Sequence, residues 1–335
     1  SHAASHAELF AGGWTLEPGA SSLRFQSVKN MTKVETSGFA TFSGEIADTG
    51  EATVRIALDS VDTKVDLRNV RMRFLFFETF QFPEAVIKAQ LDPSLLADLP
   101  QLRRKIIPLP YTMTLHGITK ASEAEVAVTM ISDTMVAVST STPISVATSE
   151  YSLDDGIKKL EEAANVAIVP SATVTFDFVF KRNGSDGTTT VAEASTTRNA
   201  AASAALEAEG NFDAEACKGR FEILSRTGNI FFRTGSARLD TKSEPLLNEL
   251  VDIVSRCPGM TIEVGGHTDS DGSEAANQSL SEKRAAAVTR YMVAQNIPQD
   301  RIQTVGYGES RPAFPNDSAD NKRRNRRIEF SVVDQ

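Results

Sequence analysis

Long apolar segments and an excess of basic residues are both missing from this sequence. No stretch approaches about 18 uninterrupted apolar residues, so no transmembrane helix is expected. The 35 Lys and Arg residues are outnumbered by 44 Asp and Glu residues, which gives a formal net charge of −9. Nucleic acids and anionic membranes usually require a dominant basic face, so neither is expected as a partner. A soluble, acidic protein is therefore predicted.

The N-terminus lacks the marks of a targeting segment. It begins Ser1-His2-Ala3-Ala4, without a basic region followed by an apolar one, and no cysteine is there to carry a lipid. We therefore expect a mature or trimmed N-terminus and no signal peptide.

Cysteine is scarce, with only Cys217 and Cys257 in the chain. Two thiols outside a C-x-x-C pair cannot form a four-ligand zinc site alone, so no metal site is predicted. The residues leave two interpretations open. The cysteines are either two unrelated buried thiols or one disulfide, which would close a loop of roughly 40 residues and contribute up to about 4 kcal/mol.

Motifs of common hydrolases and nucleotide-binding enzymes are missing as well. The sequence contains no G-x-S-x-G elbow, no P-loop, no H-E-x-x-H and no cysteine with an evident histidine partner. Hydrolysis would also need a placed acid and nucleophile, or a metal. We predict a binding protein without enzymatic activity and without a cofactor.

Changes in composition predict two domains, for which 335 residues are sufficient. Residues 183–190 have almost nothing to bury, and the Ala-rich residues 199–209 lack a broad apolar stripe. A flexible or partly helical linker is expected there. The predicted boundaries are 1–13 for an N-terminal tail, 14–181 for the first domain, 182–210 for the linker and 211–335 for the second domain.

The first domain alternates apolar and polar residues with the period of a β-strand. The clearest examples are Val54, Ile56 and Leu58, then Tyr111, Met113 and Leu115, and finally Val174, Phe176, Phe178 and Phe180. About eight such segments, separated by turn residues, predict a closed antiparallel barrel or a sandwich. One helix is expected before the last strand, with Asp154 as its cap and Ile157, Leu160 and Ala164 at helical spacing.

The second domain alternates helices and strands, which predicts an α+β sandwich with helices on one face of the sheet. Helices are expected from an Asp213 cap to Leu224, after a Thr241 cap, and from the capping box Ser279–Glu282 to Gln295. The predicted strands are 229–232, 261–264, 302–305 and 328–333.

Asp269 and Arg284 are the first candidates for a binding site. Asp269 follows a predicted strand in a loop that leads to the helix carrying Arg284. Such a pair suits a zwitterion, because the carboxylate accepts from an ammonium and the guanidinium clamps a carboxylate. Backbone donors near Ser279 would hold a second carboxylate. The alternatives are a salt bridge that closes the loop and a calcium loop at 269–273, in which the glycine is misplaced for an EF-hand.

Several motifs in order across residues 217–334 resemble the OmpA-like peptidoglycan-binding domain shared with Pal-type lipoproteins and MotB-type proteins. They are residues 230–237, Gly266-His267-Thr268-Asp269-Ser270, Asn277, Leu280-Ser281, Arg284-Ala285, residues 306–310 and Asn325-Arg326-Arg327. The resemblance implies that Asp269 binds the amino group and Arg284 a carboxylate of diaminopimelate in the peptidoglycan stem peptide. Asn277, Thr268 and Arg327 are implied as weaker contributors.

The same resemblance bears on the cysteines and on the location of the protein. Many relatives carry a cysteine in the first helix and another in a Cys-Pro turn, which matches Cys217 and Cys257-Pro258 and implies a disulfide. It also implies a periplasmic, cell-wall-associated protein of a Gram-negative-type bacterium, near the outer membrane. The basic run Lys322–Arg327 is either a solvated surface or, as in this family, support for the site.

The first domain is similar to the YceI-like family, which forms a lipocalin-like barrel and binds isoprenoid lipids. The matching motifs are Val61-Asp62-Thr63, Arg68-Asn69, Phe76-Phe77-Glu78, Phe82-Pro83 and Leu115-His116-Gly117-Ile118-Thr119-Lys120. The resemblance implies an isoprenoid lipid or a quinone as ligand. Asn69 stands where the family usually has aspartate, and Arg71 where histidine is common.

An aromatic cluster at residues 74–82 supplies candidates for lining such a cavity, although five aromatics in nine residues could equally fill a core. The candidate lipid-binding residues are Phe74, Phe76, Phe77, Phe80, Tyr111 and Met113.

Two alternatives for the first domain stay open. It could be a ligand-free structural or protein-docking module. It could also be an outer-membrane barrel, because residues 175–180 resemble a closing strand, but one tryptophan in the whole chain is a poor supply for aromatic girdles.

Overall fold

The N-terminal part of the chain forms one antiparallel sheet that closes on itself. The computed structural model describes residues 8–184, 203–227 and 230–333. The chain divides into two units, Ser1–Leu206 and Glu207–Gln335, each considered separately. The strands of the first unit are β1 (Trp14–Leu16), β2 (Ser22–Lys29), β3 (Lys33–Phe39), β4 (Phe42–Ile46), β5 (Glu51–Ala57), β6 (Val61–Asp62), β7 (Glu84–Gln90), β8 (Arg104–Leu115), β9 (Ile118–Ser132), β10 (Met135–Thr140), β11 (Ile144–Ala147) and β12 (Ser171–Arg182).

Strand β12 closes the barrel. It pairs with β10 and β11 along one edge and with β1 and β2 along the other. The pairs β1/β2, β3/β4, β5/β6 and β10/β11 each occupy one position around the sheet, so the twelve described strands fill eight positions. The predicted eight-stranded antiparallel barrel is therefore confirmed, and the sandwich alternative is not.

The alternation along each strand separates an apolar interior from a polar exterior. On β9, Ala124 and Val126 are buried, whereas Glu123 and Glu125, at the alternate positions, are exposed. Aromatic rings add to the interior: Phe42 and Phe178 lie 5.8 Å apart, centroid to centroid. Period-two patterning therefore places the hydrophobic surface inside the barrel.

Residues just outside the predicted first domain pack against it. Phe10 is only 4% exposed, and the Trp14 indole N–H donates to the Leu9 carbonyl at 2.8 Å. At the other end, the Thr15 hydroxyl donates to Asn183 Oδ1 at 2.5 Å. These contacts of Trp14 and Thr15 hold the described end of the expected tail and the start of the expected linker on the barrel. Both segments therefore belong to the barrel unit. Linker residues 185–202 lie outside the described residues.

The helices of the first unit are α1 (Asp66–Arg71), α2 (Pro93–Leu96), α3 (Leu99–Leu102) and α4 (Asp154–Ala164), and α1 continues as a π-helical segment at Met72–Phe77. The prediction that Asp154 caps the last of them is wrong by one residue. Leu153 occupies the cap position, and Asp154 lies in the first turn, where it accepts from the Thr148 hydroxyl at 2.6 Å.

The second unit combines a three-stranded sheet with helices, which confirms the predicted α+β class. Its elements are α5 (Ala214–Ser225), α6 (Glu244–Ser255), β13 (Ile262–His267), α7 (Glu274–Ala294), β14 (Ile302–Gly308), α8 (Ala319–Asn325) and β15 (Ile328–Val332). The central strand β13 runs parallel to β14 and antiparallel to β15. Of the expected strand at 229–232, residue 229 lies outside the described residues, and Phe232 forms only an isolated bridge with Leu239.

Two of the three predicted helix starts in this unit need correction. Asp213 caps α5 as expected, accepting from the Ala216 N–H. Asp240, rather than Thr241, caps the short 3-10 turn that precedes α6. Helix α7 begins five residues before Ser279, because the Ser273 side chain accepts from the Ala276 N–H and caps it there. Ser279 therefore lies inside the helix and has no free N-terminal donors to offer a second carboxylate.

A disulfide joins α5 to the end of α6. Cys217 and Cys257 are bonded, with an S–S distance of 2.10 Å, and both are 1% exposed, so the predicted disulfide is confirmed. The adjoining segment is held by charge: Glu207 pairs with Arg220 at 3.0 Å and with Arg256 at 2.7 Å. Residues 207–210, expected in the linker, thus belong to the second unit.

The disulfide should stabilise the second unit in particular. Replacing both cysteines (Cys217→Ser with Cys257→Ser) releases a chain constraint over a sequence separation of 40 residues and should cost about 2–4 kcal/mol of unfolding free energy. Native-state hydrogen exchange of the full chain provides the measurement, with the amides of β13 reporting on the second unit and those of β9 as the internal reference. Unchanged protection of β13 would contradict this role.

Candidate binding sites

Two glycines allow α7 to lie directly on the sheet of the second unit. A Cβ at Gly266 would overlap the carbonyl of Ser281, and one at Gly306 would lie 2.5 Å from the backbone nitrogen of Glu282. Only glycine tolerates such an approach. The contact is fixed by Ser281, whose Oγ accepts from the Gly308 N–H at 2.9 Å. The loop after β13 and the middle of α7 are thereby brought to one edge of the sheet.

Asp269 lies in that loop, only 6% exposed and ionically paired. Its Oδ1 accepts from the Asp271 N–H at 2.9 Å, and its Oδ2 accepts from Arg326 Nη1 at 2.5 Å. Each carboxylate oxygen can accept more than one hydrogen bond, so the charge is held in place without exhausting its acceptor capacity.

Thr268 and Asn277 shape the loop around Asp269. The Thr268 hydroxyl donates to the Asp269 carbonyl at 2.9 Å, and the Asn277 amide donates to the same carbonyl at 3.3 Å and to the Asp271 carbonyl at 2.9 Å. Both side chains are buried. Because these hydrogen bonds go to backbone carbonyls, both side chains position Asp269 within the loop.

Arg284 contributes an uncompensated cation at the same edge. Its Nε donates to the Ser236 carbonyl at 3.1 Å, and its guanidinium lies 5.1 Å from the Phe232 ring centroid. Within the part of the chain that the structure describes, its terminal nitrogens have no hydrogen-bond partner. Burial lowers the pKa of Arg284, the charge of Arg326 lowers it further, and Asp269 opposes both. Two arginines and one aspartate leave a local excess of positive charge, which suits a carboxylate.

Arg326 pairs with Asp269, whereas Arg327, which the resemblance implies as a weaker contributor to the site, has other partners. Arg327 donates instead to Glu329 at 2.7 Å and to the carbonyls of Asn325 and Arg311. Side chains two residues apart on a strand share a face. Arg327 directly precedes β15, and its spacing of two residues from the oppositely charged Glu329 was a sequence signal that these two could pair, which would leave the adjacent Arg326 for Asp269.

A second charged network lies behind the site, around Glu329. Buried His267 stacks on Tyr307, with centroids 5.1 Å apart, and its Nε2 lies 3.4 Å from a Glu329 oxygen. Burial alone would raise the pKa of Glu329, but His267 and Arg327 lower it to about 2. His267 therefore has a structural role in this network. Among the described residues, no group of three or more His, Cys, Asp or Glu side chains is arranged to hold a metal ion.

The barrel contains an apolar cavity of about 280 Å³. Four of the predicted lipid-binding residues line it: Phe76, Phe77, Tyr111 and Met113. Phe74 and Phe80 are not among the lining residues, and their rings stack on each other 6.1 Å apart. Of the aromatic cluster, Phe76 and Phe77 therefore line the cavity, whereas Phe74 and Phe80 pack against each other outside the lining.

The π-helical segment carries Phe76 and Phe77 to the cavity and is clamped at both sides. Gly156 of α4 allows close contact, since a Cβ there would lie 3.0 Å from the Phe76 ring. His116 contacts both Glu78, at 3.0 Å, and the Tyr151 carbonyl, at 3.0 Å, which ties the end of this segment to the β8–β9 turn.

Charged residues also line the cavity, and the sequence reasoning did not identify them. They are Arg24, Lys29, Glu35, Arg68 and Arg71. The signal for two of them lay in the segment Arg68-Asn69-Val70-Arg71, where Arg71 departs from the histidine common in similar sequences.

The fold and these sites define a two-domain protein, with an apolar cavity in the first domain and a paired acid and base at a sheet edge in the second. Residues 14–180 match the family model of the YceI-like domain, and residues 231–326 match that of the OmpA family. Residues 14–180 therefore form a YceI-like domain, and residues 231–326 form an OmpA-family domain.

Similar proteins share single parts of this chain. Outer membrane porin F of Pseudomonas aeruginosa is 36% identical over 121 residues, which are 36% of this chain and 35% of the porin. Peptidoglycan-binding protein ArfA of Mycobacterium tuberculosis is 36% identical over 105 residues, 31% of this chain and 32% of that protein. The chain thus spans about a third of the length of these curated relatives.

A solved polyisoprenoid binding domain from Saccharophagus degradans is 30% identical, with a TM-score of 0.47. The alignment covers 50% of this chain and 98% of that domain.

The structure also bears on membrane crossing by helices. In the described residues, no helix combines the length and the apolar character needed to span a bilayer.

Acid should weaken the second unit through Glu329. Because its folded pKa is lowered from 4.5 to about 2, its charge stabilises the fold at neutral pH, and this contribution is lost as the pH falls from about 4.5 to about 2. Glu329→Gln should lower stability at pH 7 and reduce the further loss across that range, as measured by denaturant unfolding at each pH. The matched control is the exposed Glu215→Gln. An unaltered pH profile in Glu329→Gln would show that this network does not stabilise the fold.

Proposed function

We propose that this protein is a non-enzymatic envelope protein of the bacterial periplasm, which binds peptidoglycan through its second domain and an apolar ligand in its barrel. The observation that carries the first part is Asp269, paired with Arg326 beside Arg284, whose terminal nitrogens have no partner among the described residues. The observation that supports an apolar ligand in the barrel is the apolar cavity.

The charges of the sheet-edge site match the end of a diaminopimelate side chain. That group bears an ammonium and a carboxylate on one carbon, so it needs one acceptor and one clamp close together. Asp269 supplies the acceptor, and Arg284 supplies two parallel donors. Arg326 orients Asp269 and adds to the attraction for the carboxylate.

Family membership supports the same assignment. OmpA-family relatives include a protein named for peptidoglycan binding, and outer membrane porin F is a second relative of this domain. These similarities support a location in the cell envelope, in contact with the wall. Binding, and not wall hydrolysis, is the proposed role, because neither site pairs a general acid with a nucleophile.

The cavity favours a ligand-binding barrel over a ligand-free spacer or docking module. A barrel of eight strands can be filled by its own side chains, and a filled one has no room for a ligand. Here an apolar volume of about 280 Å³ remains. The polarity also differs from that of membrane barrels, whose outer face is apolar, because the outer face of β9 carries Glu123 and Glu125.

The stem-peptide assignment predicts a specific loss of selectivity. The full chain should bind a diaminopimelate-containing stem peptide more tightly than the matching lysine peptide, which lacks the side-chain carboxylate. Arg284→Gln should weaken binding of the former about tenfold or more and abolish the preference. Asp269→Asn should weaken both peptides, because both carry the ammonium.

Calorimetric titration measures these affinities. The control is Arg290→Gln, an exposed arginine on the same helix, which should bind like the unchanged protein. Retention of full affinity by both Arg284→Gln and Asp269→Asn would defeat the site assignment.

The barrel assignment predicts that filling the cavity expels its ligand. Met113→Trp adds bulk to a residue of the lining and should reduce the amount of co-purified lipid detected by native mass spectrometry. Ile106→Trp on the outer face of the same strand, where the native side chain is 52% exposed, is the control. A barrel that carries no lipid in any preparation and binds no apolar probe would favour the docking-module alternative.

A further inference from the structure

Basic side chains gather in one part of the otherwise apolar cavity lining. The basic cluster consists of Lys29 on β2 and Arg68 and Arg71 on α1, next to Glu35 on β3. The side chain of Arg68 is 36% exposed and that of Lys29 is 18% exposed, so the cluster extends from the cavity toward solvent. A cavity for a purely apolar molecule has no need of these charges, which are costly to bury.

Glu35 neutralises only part of the cluster. It lies 2.7 Å from Lys29 and 3.4 Å from Arg68. Burial alone would raise the pKa of Glu35, but Lys29, Arg68 and Lys33 together lower it, so the carboxylate is charged at neutral pH. One negative charge against the three cations of the basic cluster leaves an excess of about two positive charges at the lining.

Among the described residues, Arg71 is the member of the basic cluster that has no hydrogen-bond or ion-pair partner. Its Nε is buried and has no hydrogen-bond partner, and no ion pair of its guanidinium is present in the described parts of the chain. Buried donors in proteins are normally satisfied, and an unsatisfied one in a cavity lining is a position where a ligand acceptor can bind. Its neighbours Phe76 and Phe77 on the continuing π-helical segment face the apolar part of the same cavity.

We infer that the barrel selects an amphiphile with an anionic head group, a phosphate ester or a carboxylate, over a neutral one such as a quinone or an alcohol. Arg71 binds the anion, Lys29 and Arg68 add charge, and the apolar chain occupies the cavity. This inference rests on the proposed lipid-binding function of the barrel and specifies the chemistry of its ligand. Guanidinium groups bind both phosphate and carboxylate through paired donors, so the two anions need separate probes.

The test compares three probes that share one fifteen-carbon chain: farnesol, farnesoic acid and farnesyl phosphate. The full-length protein, stripped of bound lipid, is titrated calorimetrically with each. We expect at least one anionic probe to bind about tenfold or more tightly than farnesol. The better anion identifies the head group. Added salt should weaken the preferred anion more than it weakens the alcohol.

Variants separate charge recognition from folding. Arg71→Gln should weaken binding of the anion much more than binding of farnesol and so remove most of the preference, and Arg68→Gln should reduce the preference less. Glu35→Gln removes the opposing charge and should strengthen anion binding, which a merely damaged barrel would not do. Arg104→Gln, an exposed arginine outside the cavity lining, is the matched control.

The outcomes distinguish this inference from the function on which it rests. Equal affinity of the unchanged protein for all three probes would overturn the head-group selectivity and leave the apolar site intact. A parallel loss of farnesol and anion binding in both Arg71→Gln and Arg68→Gln would assign these arginines a structural role instead and overturn it as well. Binding of no probe at all would overturn the lipid-binding function itself.

Discussion

The close approach of α7 to the sheet at Gly266 and Gly306 is the constraint on which the candidate site around Asp269 and Arg284 depends. With any larger residue at these two positions, the helix backbone would have to move away from β13 and β14. Such a shift would carry Arg284 away from the loop that holds Asp269. The site therefore exists because two residues without side chains let a helix and a sheet share one edge, and Ser281 fixes the contact by a hydrogen bond to the Gly308 N–H.

Much of the fold could be predicted because it is encoded by local periodicity. Apolar residues at every second position specify the strands of the barrel, and the change to alternating helices and strands marks the second domain. Helix starts were less predictable, since serine occurs at 273, 279 and 281. The structure distinguishes them by their contacts. Ser273 caps α7, Ser279 lies inside the helix, and the Ser281 hydroxyl accepts a hydrogen bond from the Gly308 N–H.

The partners of individual side chains were the part that the sequence could not specify. Arg326 and Arg327 are adjacent and identical in type. Only the directions of their side chains in the fold distinguish the arginine that binds Asp269 from the one that binds Glu329. Arg71 was visible only as a departure from a family pattern. Its place in the cavity lining depends on how α1 and its π-helical continuation cross the barrel, which is set by contacts far apart in sequence.

Both candidate sites show that net charge constrains the partner less than local charge does. The chain carries a formal charge of −9, which opposes binding to a polyanion over a broad surface. A single phosphate or carboxylate responds instead to the few groups within about one Debye length, roughly 8–10 Å. Arg284 with Arg326, and Arg71 with Lys29, are cations partly removed from water, where attraction to an anion is stronger than at the surface. An acidic protein can therefore keep a local anion-binding position, provided that the cations there are only partly neutralised. Asp269 and Glu35 supply this partial neutralisation in the two candidate sites.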